Sequence, residues 1–503
     1  MIERSKSLWQ FLCVGIFSLI IIGLNHMLMP SYMGDDVYIH CTYIRTIIET
    51  GTFGYNTSVP TYGSSSIAWV LVGSLFSLFT QEVPTTLRVV SAVLFVINSL
   101  LVLSYISTRF DLPGWQTFLF FLIYMVNAVV FRWMLTGMET NLVLFASIGI
   151  LTWYKPERPV LSAVFCLLAY LVRPEFILLP ASYFLVYLPE WKKYAKEILQ
   201  FSVSVLILFV VLFSFCYWYF GSIGPLTAIK SGSGADVESL IRFVKVVVGT
   251  YPVELILIGV LSLLAGSPRR VYQSLNQGER LLIVFMILIL FLYAVKGTSV
   301  LSRYLTLIHL PVMILLISLA SKRIRTQWLV FAALSILITQ TTIFYKVHYP
   351  AVREFVSGFQ STYTQIGKML RTRSADDTRS IMVSDIGIIG FYSQRPIIDL
   401  GGLTSTHVYE TDSFDASVIM DKYHPAYGVL RLKVDEADEA IRKFIDHSHD
   451  IRNFKILLQQ EIGSLGTLDA NRWIVYVMDL YYESEGPSQN SGSAPTSTWY
   501  HPI

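Results

Sequence analysis

Trp9-Gln-Phe-Leu-Cys-Val-Gly-Ile-Phe-Ser-Leu-Ile-Ile-Ile-Gly-Leu-Asn-His-Met-Leu-Met29 runs for 21 positions without an Asp, Glu, Lys or Arg. At about 1.5 Å per helical residue, such a run covers the hydrocarbon core of a bilayer. The whole chain follows suit. Of its 503 residues, 53% are hydrophobic and only 15% charged, against about 25% charged in a soluble domain. A mean hydropathy of +0.55 excludes a water-soluble enzyme. The net charge of +3 gives no electrostatic footing for a nucleic-acid partner. Cys13, Cys41, Cys166 and Cys216 are scattered, with the spacing of neither a disulfide framework nor a zinc site. The chain reads as a polytopic α-helical membrane protein.

Charge divides it. Residues 1–345 carry 23 Lys/Arg and 15 Asp/Glu, whereas residues 346–503 carry 15 and 20. The first part is therefore a membrane domain, 1–345. The second opens with a water-exposed α/β domain, 346–482. It has strands expected near 380–385, 396–400, 426–432 and 473–480, and helices near 352–371 and 434–446. From Glu483 the chain turns to Gly, Ser, Pro and Asn, the composition of a disordered tail, 483–503.

Apolar runs fall at 9–29, 67–79, 86–106, 115–132, 138–154, 159–172, 175–189, 198–219, 252–266, 281–295, 303–320 and 327–345. Arg4 and Lys6 place the N-terminus inside, and three basic connections (Lys192–Lys196, Arg269-Arg270, Lys322–Arg325) belong inside as well. Seven runs precede the first of these, so one of them is not a span. The 13-residue run 67–79 is the shortest, in the range of interfacial or re-entrant helices. Removing it leaves eleven transmembrane helices. The first run reads as an uncleaved anchor. The loops then facing outward are 30–85, 133–137, 173–174, 220–251 and 296–302, together with the C-terminal domain.

The outer face collects charge. Loop 30–85 is far longer than an ordinary connection, and loops of that length are usually functional. It opens with Gly34-Asp35-Asp36-Val37-Tyr38-Ile39, and residues 37–50 have the spacing of an amphipathic interfacial helix ended by Gly51. Asp35 and Asp36 either cap that helix or act in chemistry; one cap leaves the second acid over. Ser64 lies in a turn of small hydroxylated residues that lets a sugar or phosphate approach, or that caps the following helix. Glu139 heads an apolar stretch, where an acid is costly and marks a site unless it serves only as a helix N-terminal charge. Arg173-Pro174-Glu175 reads as a self-contained ion pair. Lys230 and Arg303 are cations suited to a phosphate, or else a solvated lysine and an interfacial anchor. Acids beside cations at a membrane surface suit a sugar on a lipid phosphate attacked by an acceptor hydroxyl. A carboxylate takes the proton, and Lys, Arg or a metal stabilises the departing phosphate.

Gly34-Asp35-Asp36-x-Tyr38-Ile39 and Tyr62-Gly63-Ser64 resemble the first outer loop of GT-C-fold glycosyltransferases that use polyprenyl-phosphate sugars. The likeness is to the bacterial branch containing the mycobacterial arabinofuranosyltransferases. Gly137–Thr140, Arg173–Glu175, Pro225–Lys230, Arg303-Tyr304-Leu305 and the stretch Val383–Leu403 follow in the same order. The resemblance implies a GT-C module in the bacterial inner membrane, a periplasmic active site and an inverting transfer without a covalent intermediate. It implies Asp35 as base, Asp36 as the acid that positions substrate or metal, and Glu139 as the second-loop acid. Tyr38, Tyr62, Ser64, Lys230, Arg303 and Tyr304 follow as substrate-binding residues. The partners implied are a polyprenyl-phosphate-linked sugar donor, a glycan, lipid or protein acceptor, and membrane lipid. A divalent metal, Mg or Mn, would sit at Asp35 and Asp36 if at all. Two departures stand out: Ser58–Gly63 lacks an acid usual in that branch, and Pro225-Leu226-Thr227 lacks its middle Asn.

A transporter or flippase of a lipid-linked sugar is the rival reading. Against it, the runs show no inverted repeat, and the acids gather on one face rather than at the midplane.

Overall fold

The computed structural model describes residues 2–482 apart from 58, 81, 111, 156, 226–236, 297–301, 324, 374–379, 405–422, 447–450 and 464–471. Lys230 and the expected tail 483–503 lie outside the described residues. Six helices are long and apolar enough to cross a membrane: Phe11–Leu28, Val83–Arg109, Pro174–Phe220, Gln277–Val295, Arg303–Ser321 and Gln327–Thr372. Val237–Thr250 and Pro252–Leu264, bent by 87°, make a seventh if taken as one span. Ile67–Ser77, Gly114–Met125, Thr140–Thr152 and Pro159–Val172 are shorter apolar helices. This is a multi-pass membrane protein.

The first helix, Ile2–Leu28, shows its solvent plainly. Leu12, Ile16, Leu19, Ile20 and Met27 are exposed, which lipid tails satisfy and water does not. The Thr306–Arg323 helix is the reverse, with Leu307, Leu310, Ile314, Ile317 and Leu319 all buried in the centre of the bundle.

The two ends of the bundle differ. At one, Arg109 pairs with buried Glu279 at 2.8 Å and donates to the Ser274 carbonyl, while Gln277 donates to the Tyr194 hydroxyl. The basic connections around 192–196 and 269–270 sit at this end. At the other, Arg88 donates to the carbonyls of Pro30 and Leu135. Loop 30–66, the 133–139 turn, Arg173, Arg303 and the C-terminal domain gather there.

The boundary near 345 is no linker. Helix runs unbroken from Gln327 to Thr372, with wide π turns at Phe344–His348 and Val356–Gln360. At about 1.5 Å per residue it carries the last span straight into the C-terminal domain. That domain holds a five-stranded mixed sheet of order β2-β1-β3-β5-β4, with β1 Ile381–Val383, β2 Ile397–Asp399, β3 Tyr427–Lys433, β4 Ile451–Gly463 and β5 Trp473–Tyr482. Strand β1 is parallel to β2 and β3; β5 is antiparallel to β3 and β4. An α/β domain was expected and is found. Strand β4, polar at Arg452, Lys455, Gln459, Gln460 and Glu461, lies at the sheet edge, where no apolar alternation is needed.

The Asp35–Thr50 helix was expected to lie along the interface. Instead it is buried along most of its length and forms the floor of the C-terminal domain. Val37, Tyr38, Ile39 and Ile44 share one apolar cluster with Ile386, Ile389, Val429 and Val477.

Candidate active site

A helix turns about 100° per residue, so adjacent acids at its head face different neighbours. Asp35 turns toward the C-terminal domain. Its two carboxylate oxygens accept the backbone N–H groups of Gly387 and Ile388 at 2.9 and 2.8 Å. These are donors that open the Ile386–Ser393 helix, whose own N-cap residue, Asp385, makes no side-chain cap bond. Neither acid caps the Asp35–Thr50 helix, whose N-cap is Gly34. Burial, then the charge of Asp385 and that of Asp36, pushes the Asp35 carboxyl up to about 7, against the pull of the two N–H groups.

Asp36 turns toward the bundle and pairs with Arg303, which stands in a short 3₁₀ turn at Ser302–Leu305. The Arg303 Nε is buried and has no hydrogen-bond partner among the described residues. The ring of Tyr304 is in contact with two guanidinium groups, its centre 5.3 Å from that of Arg303 and 4.9 Å from that of Arg173. Arg173 then bridges two acids, donating to Glu139 at 2.6 Å and to Glu175 at 2.7 Å. The reading of Arg173–Glu175 as self-contained is thereby corrected: Glu139, itself buried, shares the cation. Tyr293 donates to Glu175 at 2.9 Å. His40, four residues beyond Asp36 and so on the same face, has Nε2 at 3.5 Å from Glu139 and Nδ1 at 3.1 Å from the Ser64 hydroxyl.

Of the expected residues, Asp36, Ser64, Glu139, Arg303 and Tyr304 thus belong to one connected network, with Asp35 at its edge. Tyr38 stands apart, its ring 5.6 Å from those of both Phe391 and Tyr392 under the C-terminal domain. Tyr62 packs on Phe220 at 5.0 Å. His40 and Asp385 join the site without having been singled out in the sequence, and Arg173 and Glu175, read there as a self-contained pair, join it too. For His40 the signal was its i+4 spacing from Asp36; for Asp385 nothing local could reveal it.

A divalent ion at Asp35 and Asp36 does not fit. One carboxylate is turned to backbone donors and the other to a guanidinium, so the two do not converge on one cation. Among the described residues no group of three His, Cys, Asp or Glu is placed to hold a metal ion.

Residues 351–476 match a family model described as a domain of unknown function, DUF8728. Among curated proteins none matches the sequence. Two solved structures match nearly end to end. ArnT from Cupriavidus metallidurans bound to undecaprenyl phosphate is 12% identical over 92% of this chain and 97% of that one, with a TM-score of 0.55. The same protein in its apo state is 11% identical over 94% and 98%, with a TM-score of 0.53. The single-particle cryo-EM structure of arabinofuranosyltransferase AftD from Mycobacteria is 12% identical, with a TM-score of 0.48 over 93% of this chain and 40% of that one. The fold is GT-C-like.

Proposed function

We propose that the chain is an inverting glycosyltransferase that moves a sugar from a polyprenyl-phosphate donor to a cell-envelope glycan, lipid or protein on the periplasmic face of a bacterial inner membrane. The observation that carries this reading is the meeting of Asp36 with Arg303, whose buried Nε has no partner among the described residues, next to Asp35 at one end of a GT-C-like bundle. The ArnT of like fold was solved with undecaprenyl phosphate bound, which supports a lipid-phosphate donor here.

In this reading an acceptor hydroxyl oxygen attacks the anomeric carbon and Asp35 takes its proton. The bond from that carbon to the phosphate oxygen breaks, and the electron pair leaves with the phosphate. Arg303, held by Asp36, meets the growing charge, and Lys230 is assigned to the same phosphate. A base works best with a pKa near the ambient pH, and a value of about 7 for Asp35 suits it. Glu139, held by Arg173, lies at the floor of the site, and the Tyr304 ring lies against both guanidinium groups. Ser64, held against His40, borders the site, and Tyr38 and Tyr62 are assigned to more distant parts of the substrate. The eleven-span topology, with both termini of loop 30–85 outside, accords with this assignment.

The test is reconstitution in liposomes with a polyprenyl-phosphate sugar and an acceptor extract. Sugar on the acceptor, free lipid phosphate and an inverted anomeric configuration support the reading. Movement of uncleaved lipid between leaflets would assign the rival one, a flippase.

A further inference from the structure

The Ile386–Ser393 helix is clamped at both ends by the first outer loop, and with matched charges. Asp35 accepts N–H groups at its N-terminus, and Arg45 donates to the carbonyls of Phe391 at 2.8 Å and Gly390 at 3.5 Å at its C-terminus. An anion at the start and a cation at the end both complement a helix dipole. Tyr55 donates to the Ile386 carbonyl at 2.6 Å, and Asn56 both donates to and accepts from Ile397 at 3.0 Å. Two glycines permit the contact. A Cβ at Gly387 would overlap the backbone oxygen of Asp35, and one at Gly390 the hydroxyl of Tyr55.

The odd member is Asp385. An Asp at an N-cap ordinarily accepts the N2 or N3 N–H of its own helix; here Gly387 and Ile388 give those to Asp35 instead. Asp385 is turned to Arg431 at 2.9 Å, with Tyr363 donating to it at 3.1 Å. Arg431 in turn stacks on Trp473, 4.7 Å from its ring, on the neighbouring strand. So a carboxylate of the C-terminal domain stands beside Asp35, and its charge is offset from within that domain.

We propose that Asp385 and Arg431 are positioning residues for Asp35, so that the C-terminal domain builds part of the active site and sets the protonation of its base. This rests on the glycosyltransferase reading. The groups facing Asp35 are Asp36 and Tyr38 from its own helix, Tyr55 from the same loop, Tyr363 from the long helix, and Asp385 from the domain, with Arg431 paired to Asp385. Among the acids, Asp385 presses hardest on Asp35, and burial raises Asp385 itself. Removing the offsetting cation pushes Asp385 further toward its neutral form, and losing the Asp385 charge, by either route, lowers Asp35.

The test is the pH profile of the full-length protein in Arg431→Gln, Asp385→Asn and Arg431→Lys. If Asp35 is the base, transfer fails on the acid side of its pKa. That acid limb should move to lower pH by about one unit in Asp385→Asn, and in the same direction in Arg431→Gln, where Asp385 loses the cation that keeps it ionised. It should stay in place in Arg431→Lys. A merely structural role would lower the rate or the melting temperature of all three without moving the limb, and that result overturns the proposal. An infrared titration of the Asp35 carboxyl, taken as the difference from Asp35→Asn, reads the same shifts without any substrate. Shifts in a protein that transfers no sugar would uphold the positioning and sink the glycosyltransferase reading; no shifts in an active enzyme would do the opposite.

Discussion

The carboxylate of Asp35 accepts the backbone N–H of Ile388 at 2.8 Å, across 353 positions of sequence. The head of the first outer loop and the start of a helix in the C-terminal domain are therefore one structural unit.

Close backbone approach at that seam has a direct consequence. Gly387→Ala places a methyl group on the backbone oxygen of Asp35, and overpacking of this kind costs about 1–3 kcal/mol. Limited proteolysis should cut the seam faster in the variant, and transfer should fall with it. Unchanged protection would mean that the contact is looser than described.

The buried acid pair offers a second prediction. Arg173 is the shared partner of Glu139 and Glu175. Arg173→Met leaves buried Glu139 without its cation and takes the same cation from partly buried Glu175, a loss in the range of about 3–5 kcal/mol. Thermal unfolding in detergent should show it; Arg173→Lys should recover only part, since one ammonium does not reproduce a bidentate fork.

Arg303 is assigned to the lipid phosphate, with Asp36 as its holder. Arg303→Met should weaken binding of a polyprenyl phosphate by about tenfold or more, as loss of a charge-assisted hydrogen bond implies. Titration of the solubilised protein with the lipid, followed by intrinsic fluorescence, reads this without turnover. Equal affinity would reduce Arg303 to a partner of Asp36.

How far the sequence could carry these assignments depended on the range of the forces involved. The apolar run Trp9–Met29 and the helix from Asp35 to Gly51 are local features, set by composition and by a glycine that accepts φ of 74°. Asp35 and Asp36 were legible as an odd pair, but that they diverge is a matter of tertiary partners, Ile388 for one and Arg303 for the other. Burial of the Asp35–Thr50 helix was also invisible: Arg45 and Glu49 gave it a polar face, yet Arg45 is spent on the carbonyls of Phe391 and Gly390. The Ile386–Ser393 helix hid for a different reason. Being apolar all round, it has no periodic stripe to announce it.

Topology gives a fourth prediction. A reporter inserted at Lys192–Lys196 should read as cytoplasmic, and one after Ile503 as periplasmic. Both on the same side would overturn the eleven-span arrangement.

Protonation of Asp35 links activity and stability with opposite signs. Its carboxyl is raised from an ordinary 3.8 to about 7, so between those values the folded protein holds a proton that the unfolded chain has released. Stability from this group is full below about 4 and lost as pH rises through about 7. Transfer, which needs the ionised form, should rise over the upper part of the same window. A pH series of unfolding temperatures and initial rates would expose the opposed trends.

The most direct measurement is the transfer rate of Asp35→Asn at saturating donor. The carboxamide keeps the size of the side chain and one acceptor oxygen, so the seam weakens by no more than about 1–3 kcal/mol and donor binding persists. A base contributes about 10²–10⁴-fold in rate. The account predicts an expressed, lipid-binding protein whose transfer is at least about a hundredfold slower. A normal rate in this variant would contradict the assignment of Asp35 as the base.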